Sequence, residues 1–160
     1  MEKLFSYFIL TSCIILKICG EQIISTCQDL QKINNNLTDT YSLQNSIDCG
    51  GAPLSPIGIP SSMPFSGTLL GNGFMISNFV ISQQASDVGL FSKGKRATVQ
   101  NLTMCNFTVS SNCSYVGSLF GRCDVCTLNT VTLISQGNFS NTVSGSNCVG
   151  GKQIPKFHFL

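Results

Sequence analysis

Apolar residues recur along this chain in two short patterns that alternate. The first runs Ile76, Asn78, Phe79, Ile81; it returns as Val99, Asn101, Leu102, Met104 and again as Leu128, Thr130, Val131, Leu133. The second is a valine followed by glycine: Val88-Gly89 with Leu90 and Phe91, Val116-Gly117 with Leu119 and Phe120, and Val149-Gly150. The first pattern recurs at intervals of 23 and 29 residues, the second at 28 and 33. Matching motifs at unequal spacing indicate coils with a constant core and variable loops, each coil burying its apolar face only against its neighbours. The expectation is an all-β chain, a β-solenoid of about three to four coils, occupying residues 41–151.

Parity refines this picture. In an extended strand Ile76 and Phe79 face opposite sides, so the chain must bend near Asn78 for both to point inward. Asparagine tolerates the left-handed conformation of such a corner, and its amide can bond to the neighbouring coil. Asn78 and Asn101 are therefore expected to stack in a buried corner ladder that Thr130 interrupts; ordinary turn residues are the alternative. The glycines after each valine permit a tight turn or a close approach of backbones. Phe74, Phe79, Phe91 and Phe107 fall within the apolar pattern and are assigned to the core.

The two ends depart from the repeat. Lys3 precedes an apolar run from Leu4 to Leu16, and Lys17 to Gly20 close it. Thirteen residues (4 to 16) are too few to span a bilayer comfortably, so residues 1–20 read as a secretory signal peptide and no stable membrane span is expected. In residues 21–40, Cys27, Leu30, Ile33 and Leu37 stand at near-helical spacing and suggest a short helical cap, with a Cys27–Cys49 bridge to the first coil as one arrangement. A fourth coil begins at Val149 and then stops; either the tail, residues 152–160, folds back as a cap or the coding sequence is truncated, and the missing cap favours truncation.

The segment from Tyr41 to Gly51, then Pro56-Ile57-Gly58, then Pro64 to Phe79 with its core Gly67-Thr68-Leu69-Leu70-Gly71-Asn72-Gly73-Phe74, resembles the GLUG-motif proteins when taken with the Val-Gly repeats. The resemblance covers roughly residues 25 to 151 and implies a right-handed parallel β-helix in a secreted, adhesin-like or surface setting. It implies no reaction. Two positions depart from the family pattern: Leu70 stands where an acidic residue is usual, and Cys49 where an apolar one is. The additional cysteines point to coils stapled by disulfides.

Composition changes the picture in three respects. Only 10% of residues are charged, which suits β-structure with polar turns and argues against a helical bundle. Beyond residue 20 there are 7 cationic residues against 6 acidic ones, so nucleic acid has no electrostatic support as a partner. Export places Cys27, Cys49, Cys105, Cys113, Cys123, Cys126 and Cys148 in an oxidising compartment, where these seven pair with one left over, the odd one available for a disulfide-linked dimer. Sequons stand at Asn36, Asn101, Asn106, Asn112 and Asn138. A buried ladder would disfavour a glycan on Asn101.

Chemistry beyond this is sparse. The acids Glu21, Asp29, Asp39, Asp48, Asp87 and Asp124 share no strand position in successive coils, and the lone His158 lies at the terminus, so no catalytic residue is assigned. Cys123-x-x-Cys126 lacks the second ligand pair of a zinc site and the helix of a redox dithiol, so a structural bridge is expected, with neither metal nor cofactor. The expected function is a secreted or cell-surface, non-enzymatic β-solenoid, adhesin-like or a coat glycoprotein, whose Ser/Thr/Asn rows meet glycans or other surface proteins. An edge-to-edge oligomer is an open arrangement for the exposed coil end. The alternatives are a carbohydrate-active β-helix enzyme and a fragment of a larger surface protein.

Overall fold

A computed structural model describes residues 20–59, 63–112, 115–135 and 141–145. Along one side run β1 (Glu21–Ile24), β2 (Thr40–Leu43), β3 (Ile47–Asp48), β4 (Thr68–Leu70), β5 (Met75–Ser77), β9 (Thr98–Cys105) and β13 (Thr127–Ile134). A second sheet stacks β6 (Val80–Ser82), β10 (Thr108–Ser111) and β14 (Thr142–Gly145). Two narrower ones pair β7 (Asp87–Val88) with β11 (Tyr115–Val116), and β8 (Phe91–Lys95) with β12 (Phe120–Asp124). Every pairing between these strands is parallel. Parallel strands that recur sheet by sheet in chain order define a parallel β-helix.

Register fixes the coil length. Thr40, Thr68, Thr98 and Thr127 lie side by side, so successive turns take 28, 30 and 29 residues. The interval of 23 between Ile76 and Val99 is therefore no coil repeat. Ile76 pairs with Met104, and Val80 with Thr108, each 28 residues on. The corner ladder of Asn78 and Asn101 is corrected accordingly: the two residues occupy different corners. Asn78 sits over the Cys105–Asn106 step, its N–H donating to the Cys105 carbonyl. Asn101 lies in β9 opposite the corner Thr130 of β13. It is exposed, so the burial argument against a glycan there does not hold.

The reason for the misalignment is physical. Arg96, Asn101 and Asn106 have φ of 55, 53 and 50°, at five-residue intervals, and Val125 and Thr130 repeat the spacing at 54 and 53°. Each left-handed residue breaks the two-residue alternation of the strand and restarts it. Ala97, Val99, Leu102, Met104, Phe107 and Val109 consequently all point inward, each no more than 1% exposed. One coil thus carries the same motif at consecutive corners, and matching a corner of one coil to the next corner of another produces the false interval.

The interior is apolar and aromatic rows run along its axis. Phe65, Phe91 and Phe120 stack with centroids 4.4 and 5.2 Å apart, and Phe79 and Phe107 stack at 5.3 Å. Each such pair adds about 0.5–1.5 kcal/mol beyond area burial. Phe79, Phe91 and Phe107 are fully buried; Phe74 is only partly so. At Gly89 an added Cβ would stand 2.7 Å from the Gly121 nitrogen and 2.9 Å from the Gly117 oxygen, a close backbone approach between coils, whereas Gly117 is crowded by the Phe120 carbonyl of its own coil.

The amino-terminal end begins with β1 paired to β2, so residues 21–24 are a strand, and the helical part starts later. Helix α1 (Cys27–Lys32) is capped by Thr26, whose hydroxyl accepts from the Asp29 N–H while the Asp29 carboxylate accepts from the Thr26 N–H. A 3-10 turn, Ile33–Asn35, continues it. Leu30 and Ile33 are wholly buried against the coil interior. At the other end, Leu128 and Val143 are 46% and 44% exposed although they continue inward rows.

Candidate functional site

Two disulfides are present among the described residues. Cys27–Cys49 joins α1 to the turn after β3 (Cα–Cα 5.7 Å), and Cys123–Cys126 spans the corner between β12 and β13 (6.0 Å). Cys105 is buried at the end of β9. Cys113, Cys148, the sequon at Asn138, residues 1–19 of the expected signal peptide 1–20, the Val149-Gly150 repeat and the tail 152–160 lie outside the described residues.

The sequons differ in setting. Asn36 is exposed beyond the 3-10 turn, and its Oδ1 accepts from the Thr38 N–H and from the Thr38 hydroxyl at 2.8 Å. Asn112 and Asn101 are exposed; Asn106 is half-buried in a left-handed corner. Corner amides also tie the coils together. Asn78 Nδ2 donates to Asp48 Oδ1 at 2.9 Å, and Asn72 Nδ2 to Ser42 Oγ and the Leu43 carbonyl. With the Gly50 N–H as the first cause and Asn78 the second, the Asp48 carboxyl is held below its ordinary range.

The carboxylates are bound into separate local structures: Asp29 in the helix cap, Asp48 at a corner, Asp87 in a charged cluster. Among the described residues, no three His, Cys, Asp or Glu side chains come together as a metal site would require, and no helix is long and apolar enough to cross a membrane.

The sequence names Asp87 among the acids but does not disclose its partners. Its side chain is 2% exposed; Oδ1 accepts from Arg122 Nε at 2.9 Å, and Oδ2 faces Lys93 Nζ at 3.5 Å and Ser86 Oγ at 3.0 Å. The Arg122 guanidinium lies 4.4 Å over the Tyr115 ring. Lys93 and Arg122 are opposite one another in register, and so are Lys95 and Asp124. Only the 29-residue coil step reveals this, because nothing local to Lys93 announces Arg122.

A polar groove crosses the second sheet, lined by Ser82, Gln83, Gln84, Ser110, Asn112 and Ser144. Hydroxyls and amides on flat parallel strands suit weak, wet contacts better than a reaction.

Comparison with known proteins gives one informative likeness. The chain is 33% identical to halomucin of Haloquadratum walsbyi over 142 residues, a stretch that takes in 80% of this chain. That stretch is only 2% of halomucin, so the chain spans a small part of the relative it matches. No family model matches, and no solved structure does.

Proposed function

We propose that this chain is a secreted, surface-displayed β-solenoid that works by presenting its outer faces, as an adhesin-like or coat glycoprotein, without catalysing a reaction. The observation that carries the reading is the pair of polar outer features, the threonine row Thr40, Thr68, Thr98 and Thr127 on the first sheet and the polar groove of the second. Repeated hydroxyl and amide rows offer many equivalent weak contacts, which is how a binding surface gains avidity without a pocket. Carboxylates engaged apart from one another leave general acid–base chemistry without a constellation. The signal segment, the GLUG-like motif, the sequons and the disulfides are consistent with export, and the likeness to halomucin over 80% of the chain supports a surface role.

The test is expression of the full chain in a secretory host, followed by mass mapping of the product. We expect medium-borne protein beginning at residue 21, glycans on Asn36 and on some of Asn101, Asn106, Asn112 and Asn138, and both disulfides formed. Retention in the cell at full length with reduced cysteines overturns the reading.

A further inference from the structure

The charges of this molecule are unevenly placed. In residues 21–59, Glu21, Asp29, Asp39 and Asp48 stand against Lys32, a balance of 1 − 4 = −3. Between residues 87 and 124, Lys93, Lys95, Arg96 and Arg122 stand against Asp87 and Asp124, a balance of 4 − 2 = +2. All the cations of this second group lie on β8 and β12 or at the corner that follows β8. The face is built as well as charged. Like charges directly opposite on neighbouring strands are unfavourable, yet Lys93 and Arg122 hold such positions. Asp87, buried beneath them, neutralises one charge and fixes both heads.

Arg122 is held through Nε by Asp87 and lies over the Tyr115 ring, and its two terminal nitrogens make no hydrogen bond among the described residues. Lys93 is 38% exposed and Arg122 47%, while Lys95 and Arg96 are exposed. A guanidinium anchored on one side offers its free edge to a carboxylate or sulfate with little further ordering.

From this arrangement we infer that the β8–β12 face is a binding surface for a linear acidic polysaccharide. The inference deepens the surface role proposed above and rests on it for the extracellular setting. Neighbouring strands lie about 4.8 Å apart and alternate residues along a strand about 6.6 Å apart, so Lys93, Lys95 and Arg122 form a flat array that suits a chain with repeated negative groups. The strand positions Lys93, Lys95, Arg122 and Asp124 are all charged, and Val125 at the adjoining corner is too small an apolar footing for insertion into a bilayer. Four cations are too few for strong duplex binding.

The experiment measures binding of the purified, disulfide-intact full chain to immobilised heparin (sulfate) and alginate (carboxylate), with amylose and phosphatidylserine vesicles in parallel, at two salt concentrations. We expect salt-sensitive binding to at least one of the polyanions and none to amylose. Replacing Lys95→Gln together with Arg96→Gln, neither of which pairs with Asp87, should weaken it about tenfold and flatten the salt slope by about one unit per cation removed. Arg122→Gln should do the same if its melting transition persists, and Lys32→Gln at the acidic end should change nothing. The inference is overturned by absence of binding to both polyanions, by unaltered binding of the double variant, or by vesicle binding as strong as polyanion binding. Export without polyanion binding removes this inference alone, whereas binding by a protein that is not exported keeps the face and removes the extracellular setting.

Discussion

Among the described residues seven non-glycine ones hold positive φ, and their identities differ more than their geometry: Asn72, Asn78, Asn101 and Asn106, but also Arg96, Val125 and Thr130. The left-handed region costs most residues about 1–2 kcal/mol, least for asparagine and most for β-branched side chains. Val125 is β-branched and 76% exposed, so no burial offsets its strain. Val125→Asn is expected to stabilise the protein by about 1 kcal/mol, read as a higher denaturant midpoint with the Cys123–Cys126 bridge intact; an unchanged midpoint would show that the corner is not strained. Asp29 offers a pH test. The Lys32 ammonium first, and then the Thr26 hydroxyl, hold its carboxyl down from 3.8 to about 2. A depressed folded-state pKa means the cap's contribution is whole above 3.8 and is lost as pH falls toward 2. Asp29→Asn should therefore flatten the fall of melting temperature across that window and leave its shape near neutrality unchanged. The asparagine corners are legible in sequence because the residue type declares the conformation; Arg96, Val125 and Thr130 are not, since the neighbouring coil imposes theirs.

At the level of the element, the helix and the corners show what a local pattern can and cannot say. The spacing of Cys27, Leu30 and Ile33 gives the helical face, with Leu37 already past the 3-10 turn, and Thr26 with Asp29 completes the capping box. The same spacing says nothing of β1, whose Glu21–Ile24 run becomes a strand only because β2 lies beside it. The apolar-Asn-apolar motif identifies corners correctly but not which corner, because five-residue spacing places the motif more than once in each coil. The disulfides act on different elements and should have different weight. Cys27–Cys49 closes a loop with a sequence separation of 22 and pins α1 over the first coil, against a separation of 3 for Cys123–Cys126. Chain entropy assigns about 3 kcal/mol to the longer loop and about 2 to the shorter. Paired replacement by alanine should lower the denaturant midpoint more for Cys27/Cys49 than for Cys123/Cys126. The opposite order would mean that the β12–β13 corner depends on its bridge for more than entropy.

In the whole molecule, stability is a sum over neighbouring coils, so position along the axis decides which part opens first. The central strand β9 pairs with β4 and β5 on one side and with β13 on the other, and its inward residues Val99, Leu102 and Met104 are wholly buried. Strand β13 has β9 on one side and no strand on the other among the described residues, and Leu128 at its start is 46% exposed. The opposite end is closed, with Leu30 and Ile33 wholly buried and the Cys27–Cys49 bridge behind them. The closed end was foreshadowed by the helical spacing near residue 30. The cationic face was not, because Lys93 and Arg122 come together only once coils are stacked in register. Opening from the β13 end exposes one coil interface, whereas opening at β9 exposes two. Native-state amide exchange should therefore be at least about tenfold faster in β13 and β14 than in β9 and β4, with α1 exchanging slowly until the Cys27–Cys49 bridge is removed. Equal protection of β13 and β9 would show that the apolar row ending in Leu128 is covered in solution, and the coil end would then be an interface and no longer a free edge.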